Sequence, residues 1–177
     1  MHIIYRESHG LDETATPIDL AQSPADLAVL SFSDSDLSAF AEGWRRAKRQ
    51  GHPLPSLRLA NLGSLAHPLS VDVYVEQTLC HAKAILIRLI GGVSYWSHGL
   101  REVQALARDN GTVLAVLPAD GRPDPKLDAA STVPTSTLHR LNHLCNEGGA
   151  IAAQAALAQL ALAAGLYAGP VLSLIHI

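Results

Sequence analysis

Residues 57–99 read LRLANLGSLAHPLSVDVYVEQTLCHAKAILIRLIGGVSYWSHG. Leu57–Ala60 is a short apolar run of strand length. Ser70 to His81 follows as a helix, with Ser70 as its cap and Asp72 in its first turn. Val71, Val73 and Val75 alternate as a strand would, but two parallel strands need a crossover between them, so the helix reading prevails. Ala84–Ile90 is a buried strand, Gly91-Gly92 a turn, and Trp96 opens another helix. Strand, helix, strand, helix in this order is the pattern of a parallel sheet covered by crossover helices.

Working toward the N-terminus, Leu27–Phe32 is almost continuously apolar, as in strands buried on both faces. Ser33, three residues before Asp36, marks a helix start. Leu37, Phe40, Ala41, Trp44 and Ala47 continue it at helical spacing. Arg45, Arg46, Lys48 and Arg49 read as a solvated end that complements the helix dipole rather than as a phosphate site. Ile3 and Ile4 suggest an edge strand, and residues 6–26 a polar connection.

Toward the C-terminus, Trp96, Leu100, Val103 and Ala107 form one helical face ending at Asn110-Gly111, a left-handed cap. Thr112–Leu117 is the fourth strand. Residues 118–134 read as a loop with one short helical turn. Leu138, Leu141, Leu144 and Cys145 mark a helix stopped by Gly148-Gly149, and Ala150–Ala164 is helical by propensity. The fold class is therefore α/β: a flavodoxin-like parallel sheet with crossover helices, simplest strand order 2-1-3-4, followed by C-terminal helices. Arg88, inside the third strand, needs a partner if it faces inward.

The chain has 177 residues, 48% hydrophobic and 16% charged, which suits a sizeable buried core. A net charge of -3 disfavours a nucleic-acid partner. Cys80 and Cys145 are too few for a disulfide framework and suit a reducing, cytoplasmic setting. The alanine-rich last helix contains Gln154 and Gln159 and is read as packing against further protein, not as a membrane span. No G-x-G-x-x-G follows a strand and no P-loop is present, so nucleotide binding lacks its fingerprint. His139 and His143 lie one helical turn apart, a spacing that can share a metal, but a surface pair is the favoured reading. His67, before Pro68, reads as packing its turn. No metal ligand and no catalytic residue is assigned.

Several blocks carry a resemblance. Arg58-Leu59-Ala60-Asn61-Leu62, His67-Pro68-Leu69-Ser70-Val71-Asp72, Ile87-Arg88-Leu89-Ile90-Gly91-Gly92 and Tyr95-Trp96 resemble, in this order, the N-terminal part of the large subunit of aerobic cobaltochelatase, CobN, of the magnesium chelatase large-subunit family. Pro24–Leu27, Leu30–Leu37, Leu117-Pro118, Asp120, Arg122–Pro125 and Ser131–Pro134 resemble flanking parts. The resemblance spans most of residues 1–148. It implies ATP-dependent insertion of cobalt(II) into hydrogenobyrinic acid a,c-diamide, in cobalamin synthesis. ATP-Mg would be used by two motor subunits, with a tetrapyrrole substrate and the rest of the large subunit as further partners. No cofactor is expected on the fragment itself, which would be inactive alone, and catalytic groups are expected downstream.

Read along the chain, the residues divide into three parts: an α/β domain at 1–134, a helical segment at 135–171, which the resemblance implies leads into a remainder, and a tail at 172–177. That tail, Leu172-Ser173-Leu174-Ile175-His176-Ile177, resembles a translated sequencing adaptor; the competing reading is a natural apolar strand.

Ligands in open parallel sheets gather beyond the carboxyl ends of the strands. The substrate-binding candidates there are Asp34, Asp36, Gly91, Gly92, Tyr95, Trp96 and His98. A phosphate-receiver pocket would share Asp34 and Asp36, but the third strand ends in glycines rather than an aspartate. The glycine pair either admits a ligand to the backbone or permits a tight turn, the latter favoured. Tyr95 and Trp96 would stack on a flat macrocycle and His98 would bond one of its arms. The plainer reading is that Trp96 fills a helix–sheet interface. Two other functions compete: a non-catalytic interaction module, and a magnesium chelatase homologue acting on protoporphyrin.

Overall fold

The computed structural model describes residues 16–166. The expected strand at Ile3-Ile4 and the 172–177 tail lie outside the described residues. Four strands, β1 (Leu27–Ser31), β2 (Leu57–Asn61), β3 (Ala84–Leu89) and β4 (Val113–Pro118), form one parallel sheet of order β2-β1-β3-β4. This is the 2-1-3-4 arrangement expected. Six helices accompany it: α1 (Asp34–Arg49), α2 (Pro68–Gln77), α3 (Ser97–Asn110), α4 (Pro125–Ala130), α5 (Thr135–Glu147) and α6 (Gly149–Ala163).

Side-chain alternation along the strands divides the core into two layers. Ala28, Leu30, Ile85, Ile87 and Leu89 face one layer, where Val71 and Tyr74 of α2 and Leu100 and Val103 of α3 meet them. Leu27, Val29, Ala84 and Leu86 face the other, against α1, α5 and α6. All six residues of β3 are buried, as suits a strand covered on both faces.

The helix ends follow local chemistry, with one correction. Ser33 caps α1, its hydroxyl accepting from the Asp36 amide at 3.3 Å. Gly111, at φ 68°, closes α3 as a left-handed cap. Helix α2, however, starts at Pro68 and is capped by His67, not Ser70. His67 Nδ1 accepts from the Leu69 amide at 3.0 Å, and proline suits the first helical position because its missing N–H would be unpaired there anyway. Ser70 is buried and its hydroxyl accepts from the Ile18 amide at 2.7 Å. Gln22 and Ser23 lie against β2, the edge strand, where Arg58 donates to the Ser23 carbonyl and hydroxyl. There the Gln22 side chain donates to the Leu59 carbonyl and accepts from the Tyr74 hydroxyl, whose pKa burial raises.

Helix α6 also differs from expectation. It buries against this chain's own sheet and α1, with Ala156, Leu157, Leu160 and Ala161 fully covered. A helix apolar all round requires such cover. The close α1–α6 approach depends on Gly43. A Cβ there would lie 2.7 Å from the Gln154 backbone nitrogen and 2.8 Å from the Ala150 carbonyl oxygen. Among the described residues, no helix is long and apolar enough to cross a membrane.

Gly43→Ala should therefore destabilise the fold despite alanine's better helix propensity. The overpacking meets backbone that cannot rotate away. A net loss of about 2 kcal/mol in urea unfolding is expected, and an unchanged midpoint would mean the helices are not so tightly apposed.

Candidate functional site

The strand order reverses between β1 and β3, and the crevice beyond their carboxyl ends is where such sheets hold ligands. In this chain an ion pair fills that position. Arg88, near the end of β3, alternates with Leu86 and Ala84 and so points into the α1 layer. Its side chain is 6% exposed, and its Nη1 donates to Asp36 Oδ2 at 2.6 Å. The same carboxylate oxygen accepts from the Ser31 hydroxyl at 2.9 Å. Arg88 Nη2 donates to Asn146 Oδ1 at the end of α5, at 3.1 Å, while its Nε is left without a partner. Thus the partner Arg88 requires is an aspartate on the first turn of α1.

This geometry bears on each candidate. Asp36 is spent on Arg88. Asp34 is exposed and accepts from Asn61 Nδ2 at 2.8 Å, which ties the β1 and β2 loops together. Gly91 and Gly92 have φ of 75° and 77° and form the tight turn favoured above. Gly92 also lies close to Asp124, the cap of α4, where a Cβ would sit 3.2 Å from Oδ2. Trp96 is 4% exposed. Its indole N–H donates to the Leu65 carbonyl at 2.9 Å and its ring lies against Gly99. With its ring packed, Trp96 offers no face for stacking on a macrocycle, which corrects that expectation. Tyr95 is partly buried beside it. His98 reaches the neighbouring helix, where Nε2 lies 2.8 Å from Asp72 Oδ1.

Two features escaped the sequence reading. Glu102 stands beside the His98–Asp72 pair; its spacing of four from His98 was a visible signal, whereas Asp72 is brought in by helix packing alone. Cys145 lines a cavity of about 210 Å³ between α1 and the start of α6, next to Asp36. Although only half-buried by surface, the thiol is pushed up to about 12, chiefly by burial, with Arg88 opposing and Asp36 adding to the shift. His139 and His143 are both exposed on α5.

The pair itself should behave asymmetrically. Asp36→Ala strands a buried guanidinium and should cost about 3 kcal/mol. Arg88→Met leaves Asp36, 20% exposed, within reach of water and should cost less. A double-mutant cycle by chemical denaturation measures the coupling; equal and additive losses would contradict it.

Cys145 should alkylate slowly. With its thiol near 12, roughly one part in ten thousand is thiolate at pH 8. Its alkylation rate should still climb beyond pH 10, where an ordinary thiol has levelled off; saturation near pH 9 would refute the burial effect.

No family model matches the chain. It is 42% identical over 149 residues to the aerobic cobaltochelatase subunit CobN of a Sinorhizobium species. It is 39% identical over 149 residues to the subunit of that name from Pseudomonas aeruginosa. Each match covers 84% of this chain but only 11% and 12% of the relatives, so the chain spans about a ninth of their length. Its fold resembles part of the catalytic subunit of cobaltochelatase from Mycobacterium tuberculosis, with a TM-score of 0.59 at 23% identity over 76% of this chain and 10% of that one.

Proposed function

We propose that this chain, which belongs to the CobN family through the stretch it matches, serves as one α/β layer of a cobaltochelatase large subunit. The observation that carries this reading is the identity of 42% and 39% to two CobN subunits across 84% of the chain. The complete assembly would insert cobalt(II) into hydrogenobyrinic acid a,c-diamide in the cytoplasm. Two motor subunits would hydrolyse ATP-Mg to drive it.

Metal insertion needs a bent macrocycle, acid–base groups to take the ring N–H protons, and delivery of the ion. The described residues favour a scaffolding share in that work. Asp36 is neutralised by Arg88, and Trp96 is packed inside. Asp34, Gly91, Gly92 and Tyr95 remain as a rim against which another layer of the subunit, or an arm of the tetrapyrrole, would rest. The α/β part to residue 134, with α5 and α6 packed on it, would join the remainder of the subunit. A magnesium-inserting homologue is the weaker reading, since both relatives carry cobaltochelatase names.

The test is a chimera. The matching stretch of the Pseudomonas aeruginosa subunit is replaced by this chain's residues, and cobalt insertion is assayed with that subunit's own partners. Retained insertion, with loss when the stretch is deleted, is expected. Full insertion by the deletion, or none by a soluble and assembled chimera, would contradict the proposal.

A further inference from the structure

Asp72, on α2, and His98 and Glu102, on α3, each point a ligand-competent atom to one spot, all within 4.8 Å of one another. We propose that these three side chains form a site for a first-row divalent transition ion that ties α2 to α3. The site does not rest on the chelatase reading.

The donor set is one imidazole and two carboxylates, which suits Zn(II), Co(II) or Ni(II) better than Mg(II). Ligand bonds of 2.0–2.2 Å around a tetrahedral ion put donor atoms roughly 3.3 Å apart. The His98–Asp72 separation of 2.8 Å and the 4.8 Å limit bracket that value. Small rotations of side chains, with no backbone movement, would seat the ion. It would replace the proton now shared between His98 and Asp72. Two carboxylates beside a neutral imidazole carry a charge of -2, which a divalent ion cancels. A fourth position stays open to water because Asp72 is 52% exposed and His98 26%.

The backbone that carries His98 is anchored on both sides: Trp96 donates its indole N–H to the Leu65 carbonyl, and Gly99 packs under the Trp96 ring. The imidazole itself is oriented by its bond to Asp72. Ala66 and Val71 wall the same corner. Glu102 follows His98 at i+4 and therefore shares its helix face. A ligand already oriented by a partner in the same site loses less freedom on binding. By contrast, the exposed His139 and His143 on α5 have no third ligand assembled with them among the described residues.

The experiment is a calorimetric titration of Zn(II) alone into the 177-residue chain under reducing conditions, with Co(II) visible absorption as a second readout. One equivalent should bind. Removing a ligand costs at least what losing outer-shell support costs, so His98→Ala and Glu102→Gln should weaken binding by about 10–100-fold. His139→Ala/His143→Ala should leave that equivalent unchanged. Should His98→Ala fail to fold by circular dichroism, the isosteric Glu102→Gln decides alone. Absence of Zn(II) binding, or binding that ignores both changes, would overturn the site.

Discussion

A cation buried at the end of the central strand constrains this structure more than any other single feature. Strand β3 is covered on both faces, and its alternation leaves Arg88 no route to solvent. A guanidinium so placed must be met by an anion or the strand cannot be buried. Asp36 meets it because Ser33 starts α1 where it does, and Ser31 and Asn146 complete the arrangement. One charge thereby sets the position of α1's first turn and of α5's end against the sheet. The apolar layer around it, from Phe40 to Leu157, packs on the same elements.

Much of this was legible in the sequence. The continuous apolar runs at Leu27–Phe32 and Ala84–Ile90 imposed a parallel sheet, and Gly111 imposed the end of α3. Arg88 announced that it needed a partner. What could not be read was the identity of that partner, since Asp36 lies 52 residues away and only packing brings it close. The His67 cap was hidden because histidine is an uncommon cap and Ser70 a common one. The inward turn of α6 was hidden for another reason. An alanine-rich helix shows which residues are apolar but not what covers them, and the answer lay in Gly43, over a hundred positions earlier.

The same packing separates scaffold from site. Two residues that looked like a tetrapyrrole platform are occupied: Trp96 by the core and Asp36 by Arg88. A crevice at the strand-order reversal is the usual ligand position in such sheets, and here a salt bridge stands in it. That agrees with the supporting role proposed above; the chain matches about a ninth of the length of the two CobN relatives.

The most direct measurement is an experimental structure of a complete large subunit bearing this segment, with tetrapyrrole bound. Arg88 should still hold Asp36 there, with the macrocycle outside the β1–β3 crevice. A tetrapyrrole seated in that crevice, with the pair drawn apart, would contradict this.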